Sequence, residues 1–211
     1  MDPVLPLFPL QLVVFVGEDL NLHIFEPRYQ QLVKEAEEDA QPFGIPAFID
    51  GKVMPVGTRM RLKRIVKRYP DGKLDVETQG IGLFRITEFY NPVPEKLYSG
   101  ASVQDMPFSR EGDILAAEQI LQQVQYLFAL LGVQKDLPQS PAELSTYDIG
   151  HHVGFSLEQE YEFLCITEET DRQQFMLGHL EQFIPVVEEA NRLRERVKMN
   201  GHFKNIIPPK F

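Results

Sequence analysis

The sequence predicts an α+β protein: a small, strongly bent β-barrel with one inserted helix, followed by an all-helical bundle. Three observations carry this. Up to about residue 105 the apolar residues alternate with polar ones in short runs separated by Gly, Pro and Asp turns, the signature of strands. From Met106–Asp113 onward that alternation stops and the apolar spacing becomes helical. Finally, Ser140-Pro-Ala-Glu143, Ser156-Leu-Glu-Gln159 and Thr170-Asp-Arg-Gln173 are helix-start boxes, all in the second half.

In chain order, Leu5–Val16 reads as extended, because Pro6 and Pro9 forbid a helix and Val13–Val16 is β-branched and aromatic. Gly17-Glu-Asp19 turns the chain into Leu20–Ile24, where Leu20, Leu22 and Ile24 share one face and Asn21 and His23 lie between them. Pro27 suits the first position of a helix reaching about Ala40. Phe43–Ile49 is the next strand and Asp50-Gly51 a turn. Gly57-Thr58 opens a strand to Tyr69, Pro70-Asp71-Gly72 reverses it, and Lys73–Gln79 returns as a hairpin. Gly80-Ile-Gly82 separates off a further strand, Leu83–Tyr90, and Lys96–Gln104 adds another. That makes six or seven strands and one helix.

In the second half Ile114, Ala117, Leu121, Val124, Phe128 and Leu131 form one helical face, which Gly132 ends. Met176, Leu180, Phe183, Val187 and Ala190 form another on a helix reaching about Lys198 and kinked near Pro185. The expected division is a barrel over 1–107, a helical bundle over 108–199 and a tail over 200–211, where Pro208-Pro209 opposes regular structure.

Composition bounds the function. The 211 residues are 43% hydrophobic and 25% charged, with a net charge of −10. An acidic balance argues against broad contact with phosphate backbones. One cysteine, Cys165, cannot form an intramolecular disulfide, and Met-Asp-Pro-Val lacks a positively charged leader. The apolar run Val4–Val16 is too short and too broken to span a bilayer. A soluble, cytoplasmic protein is expected.

The blocks Leu5-Pro-Leu-Phe-Pro-Leu10, Ile24-Phe-Glu-Pro-Arg-Tyr29, Phe43-Gly-Ile45, Gly57-Thr58, Pro70-Asp-Gly72, Gly80 and Phe84-Arg-Ile86 stand in one order. In that order they resemble the N-terminal substrate-binding domain of the Lon ATP-dependent proteases, densely over about residues 4–105 and more weakly to about 190. Val16 and Leu83 depart from it, standing where the family commonly has Pro and Arg. The resemblance implies a PUA-like barrel followed by a helical bundle, and a role in protein quality control. It implies recognition of unfolded or partly folded polypeptide, with a protease or chaperone as possible recipient of the client. It implies no catalysis, since the chain has no phosphate-cradling Gly-x-x-x-x-Gly-Lys-Ser/Thr run and ends before any region similar to the Lon peptidase.

No catalytic, cofactor or metal constellation is expected from the residues themselves. His151 and His152 are adjacent and would point about 100° apart on a helix, with no Cys or His partner at metal spacing. His23 is expected at the surface, and His179 and His202 carry no motif. Cys165 sits in an apolar helical context that raises its pKa and protects it.

Two stretches remain as candidate sites. At the strand-to-helix corner, beside Phe25, Glu26 and Arg28 are expected to pin the corner; the alternative places them, with Tyr29 and Gln30, on a docking rim; Phe89 and Tyr90 point to opposite faces of a strand, so one is expected to be exposed. The chain has fifteen Phe and no Trp, and Phe residues exposed together would form an apolar surface for unfolded chains. The second stretch is Arg59, Arg61, Lys63, Arg64, Lys67, Arg68 and Lys73, seven cations in fifteen residues. Cross-strand pairing with Asp75 and Glu77 is the plainer account. The alternatives are an RNA-binding barrel using Arg59–Arg68, or a barrel that binds a small ligand. The stripe from Met176 to Val197 leaves a monomer or a weak dimer open.

Overall fold

The computed structural model describes residues 4–202. Pro208, Pro209 and most of the expected tail lie outside the described residues. The chain gathers into two units. The first takes in the chain through Gly112 together with Ser145–Arg172; the second is Asp113–Leu144 and the chain from Gln173.

The first unit holds a six-stranded sheet: β1 (Leu5–Leu7), β2 (Asp19–Ile24), β3 (Phe43–Ile49), β4 (Lys52–Arg68), β5 (Leu74–Tyr90) and β6 (Ser99–Met106). Pairing runs β5-β4-β3-β1-β6 and returns from β6 to β5, so five strands close on themselves. Strand β5 does this by having two halves. Leu74–Gln79 pairs with β2, and Leu83–Tyr90 pairs with β6. The sequence pattern predicts two strands here, broken at Gly80-Ile-Gly82; the structure has one. The glycines do not end it. Gly80 lies where the ladder to β4 shifts register, and a Cβ there would meet the Phe15 carbonyl oxygen at 2.6 Å.

Val13–Val16 is buried, as its composition demands, yet it is not a strand. Its backbone groups are satisfied elsewhere. The Phe15 amide donates to the Glu18 carboxylate (2.9 Å), the Val14 carbonyl accepts from the Thr58 hydroxyl, and the Gly17 amide donates to the Gly80 carbonyl (2.9 Å).

Helix α1 (Pro27–Glu38) begins at Pro27 and buries Tyr29, Leu32, Val33 and Ala36, one face at helical spacing. That face packs with Ile24, Phe43, Ile45, Met60 and Val76 of the strands. Phe84, Leu5, Leu7 and Ala101 form a second apolar cluster. Helix α3 (Leu157–Cys165) starts at the Ser156–Gln159 capping box, with both reciprocal bonds made. The box at Ser140 yields only a single 3₁₀ turn, Pro141–Glu143, because Leu144 is already extended. Thr170 caps nothing: α4 (Glu169–His202) has already begun.

In the second unit, α2 (Ile114–Leu131) is capped by the Asp113 carboxylate, which accepts from the Ala116 amide (2.8 Å), and closed by Gly132 at φ 66°. Its buried face is Ala116, Ala117, Ile120, Val124, Leu127 and Phe128. This is rotated from the predicted stripe, and Ile114 and Leu131 are exposed. Gln173 joins Asp113 at one end of the pair and Asn191 donates to the Leu130 carbonyl (2.8 Å) at the other, so α2 and this part of α4 run parallel. By length and composition α2 alone among the described helices is apolar enough to cross a membrane. Six of its eighteen residues are buried.

Candidate functional site

The strand β2 to α1 corner and the far end of β5 come together. A cleft of about 250 Å³ is lined by Pro9, Arg28, Tyr29, Phe48, Val53, Phe89, Asn91 and Ser99. Tyr29 enters it from the first turn of α1 because Pro27 starts the helix there. Its ring stacks on Phe8 with centroids 3.7 Å apart. Burial raises the Tyr29 pKa, with the Arg28 charge opposing. The Arg28 guanidinium lies 4.5 Å over the Tyr29 ring, within cation–π range. Its Nε donates to Glu26 Oε2 at 2.9 Å and an Nη follows at 2.7 Å. Phe89, near the end of β5, is 41% exposed.

Three of the candidate residues, Arg28, Tyr29 and Phe89, therefore line one cleft. Glu26 does not line it but bonds two residues that do, Arg28 through its carboxylate and Tyr29 through its carbonyl. Phe25 is exposed beside His23, at a ring separation of 6.3 Å, and does not line the cleft. The Tyr90 hydroxyl bonds Glu88 (2.8 Å) and Ser102 (3.0 Å) instead. Sequence reasoning missed Pro9, Val53, Asn91 and Ser99 as lining residues and did not single out Phe48 from the other Phe residues of the β-rich half. They come from four separate segments, and the only local signal among them is the Asn91-Pro92 turn dipeptide.

Four of the six cations of the basic strand Arg59–Arg68 are paired with carboxylates. Arg59 meets Asp105 (2.5 Å), Lys63 meets Asp19 (2.8 Å), Arg64 meets Glu77 (2.6 Å) and Arg68 meets Glu37 (2.6 Å). Arg61 donates to Gln79 (2.9 Å), Lys67 stands 4.3 Å over the Tyr69 ring, and Lys73 pairs with Asp71 (2.7 Å). The partners are more varied than Asp75 and Glu77 alone. Asp75 is engaged by His23 (2.6 Å) and the Tyr69 hydroxyl (2.7 Å), which lower its pKa.

A larger cavity of about 540 Å³ lies along α1, lined on its polar side by Glu35, Asp39, Arg59, Tyr98 and Asp105. Tyr98 is its one aromatic side chain, and its hydroxyl is bonded to Glu35.

His151 differs from expectation. It stands in a 3₁₀ turn, with Nδ1 2.7 Å from Glu160 and Nε2 3.0 Å from Glu18. Burial alone would lower its pKa, but the two carboxylates outweigh that and push it up to about 9. Cys165 is half-buried, and burial pushes its thiol pKa up. Among the described residues no cluster of His, Cys, Asp and Glu is arranged to hold a metal ion.

The sequence pattern of the ATP-dependent protease La (LON) substrate-binding domain matches residues 4–182. Among solved structures, a Lon N-terminal domain protein from Xanthomonas campestris is similar at 21% identity and a TM-score of 0.67, covering 83% of this chain and 98% of its own. The N-terminal domain of the Lon protease of the Mycobacterium avium complex is similar at 12% identity and a TM-score of 0.60, covering 85% and 98%. At these identities the likeness is one of fold. No curated protein matches the chain.

Proposed function

Because the chain belongs to the ATP-dependent protease La (LON) substrate-binding domain family, we propose that it is a non-catalytic polypeptide-recognition module that holds unfolded or partly folded segments in the Arg28–Tyr29–Phe89 cleft. The observation that carries this reading is the cleft itself. It offers an aromatic and aliphatic wall of Phe48, Val53 and Phe89, with Phe89 open to solvent, beside a cation. Such a wall gains by burying an apolar side chain and demands little of the sequence around it. The setting would be cytoplasmic protein quality control, with clients passed to a protease or chaperone, and the barrel would be a PUA-like one.

The pairing of the basic strand speaks against RNA as the ligand, since each of Arg59, Lys63, Arg64 and Arg68 already faces a carboxylate. Fluorescence anisotropy of a labelled, permanently unfolded polypeptide, titrated at low and moderate salt beside a single-stranded RNA, tests the reading. Saturable polypeptide binding that persists with salt is expected. Steeply salt-dependent RNA binding without polypeptide binding would move the site to Arg59–Arg68 and overturn it.

A further inference from the structure

The polar side chains of the cleft are of one kind. Tyr29 is 6% exposed and Ser99 9% exposed, and among the described residues neither hydroxyl has a hydrogen-bond partner. Neither is among the described side-chain oxygens that are both unpartnered and sealed from water, which are Gln123 Oε1, Ser145 Oγ and Thr146 Oγ1. The two hydroxyls are buried yet reachable. Asn91, also on the cleft but exposed to water, has no side-chain hydrogen-bond partner among the described residues either. Arg28 uses its Nε and one Nη on a single Glu26 oxygen, which leaves guanidinium N–H groups to donate. No Asp or Glu lines the cleft. Buried polar groups without partners in a folded protein call for an explanation, and a ligand is one.

We propose that the cleft takes the C-terminal residue of a polypeptide, its free carboxylate received by Arg28, Tyr29, Ser99 and Asn91 and its apolar side chain set against Phe48, Val53 and Phe89. This rests on the polypeptide-recognition reading and narrows it. The backbone of an internal segment would bring only neutral carbonyls and amides to a set made of one cation and three neutral donors. A chain terminus brings two oxygens sharing a negative charge, which fits a guanidinium and makes the stronger hydrogen bonds. The size agrees. At about 250 Å³ the cleft lies below the usual range for drug-sized ligands and admits a single large side chain.

The test uses a labelled peptide ending in Phe as the free acid, the same peptide as its C-terminal amide, and a third with the Phe moved inward. N-acetylphenylalanine serves as competitor. The free acid is expected to bind about tenfold or more tightly than the amide or the inward form, as loss of charge-assisted hydrogen bonds predicts. That acid-to-amide ratio should fall to near one in Arg28→Gln, and in Tyr29→Phe, which removes only the hydroxyl, it should fall severalfold. Equal affinity of acid and amide would overturn the terminal-carboxylate assignment and leave polypeptide recognition standing. Failure of every peptide to bind would overturn both. N-acetylphenylalanine binding as tightly as the peptide acid would make a small carboxylate the ligand and overturn the polypeptide occupant.

Discussion

Arg172 and Glu169 meet at 2.6 Å with neither side chain exposed to water. The pair is fully enclosed by partners. Arg172 donates to the Ile166 carbonyl (2.7 Å) and the Ser109 carbonyl and lies 4.1 Å over the Tyr147 ring; Glu169 accepts from the Thr146 amide (2.7 Å). Removing one partner leaves a buried charge without its counter-ion. Arg172→Met should therefore cost about 3–5 kcal/mol, read as a lower urea midpoint at unchanged slope.

His151 makes stability pH-dependent in a defined window. Its folded pKa, about 9, lies above the ordinary histidine value of 6.5. A raised pKa contributes stability that is fully present below about pH 6.5 and is lost as pH rises toward 9. With roughly a quarter of the side chain in water, the contribution is of order 2 kcal/mol. The difference in melting temperature between wild type and His151→Gln should be largest near pH 6 and should shrink by pH 9.5. A difference that stays constant would show that the charge on His151 plays no part.

Two glycines in β5 should respond oppositely to a methyl group. At Gly80 a Cβ meets backbone at 2.6 Å, whereas at Gly82 it meets nothing within 4 Å. Gly80→Ala should destabilise by about 1–3 kcal/mol. Gly82→Ala should be neutral or slightly stabilising, because it restricts the unfolded chain. Denaturant unfolding of the two variants side by side checks this.

Arg28 and Glu26 are 50% and 38% exposed, and exposed pairs contribute little to stability. Arg28→Ala should move the melting midpoint by no more than about 3 °C, while polypeptide affinity falls severalfold. A large loss of stability with affinity unchanged would return Arg28 to the role of pinning the corner.

How much of this the sequence discloses depends on how far apart the interacting residues lie. Local signals are read directly: Pro27 starts α1, Gly132 ends α2, and Ser156 with Gln159 caps α3. Burial in the β-half also follows from composition, since Phe8, Phe15, Phe43 and Phe84 are all core. What fails is decided by distant partners. Gly80 and Gly82 look like a strand break until Phe15 is seen against Gly80. Val13–Val16 has strand composition, but side chains at Glu18 and Thr58 take its backbone bonds. His151 looks ordinary because one carboxylate that charges it, Glu18, is 133 residues away. Three of the eight residues lining the cleft were legible for the same reason. Arg28 and Tyr29 belong to a local corner and Phe89 to a visible aromatic pair, while Ser99, Val53 and Pro9 arrive only through strand pairing.

The central claim is that polypeptide is held in the Arg28–Tyr29–Phe89 cleft. The most direct measurement is an amide chemical-shift map of the isotope-labelled protein titrated with an unfolded polypeptide. The account predicts that shifts concentrate on Arg28, Tyr29, Val53, Phe89, Asn91 and Ser99. Shifts concentrated along Arg59–Arg68, with the cleft silent, would contradict it.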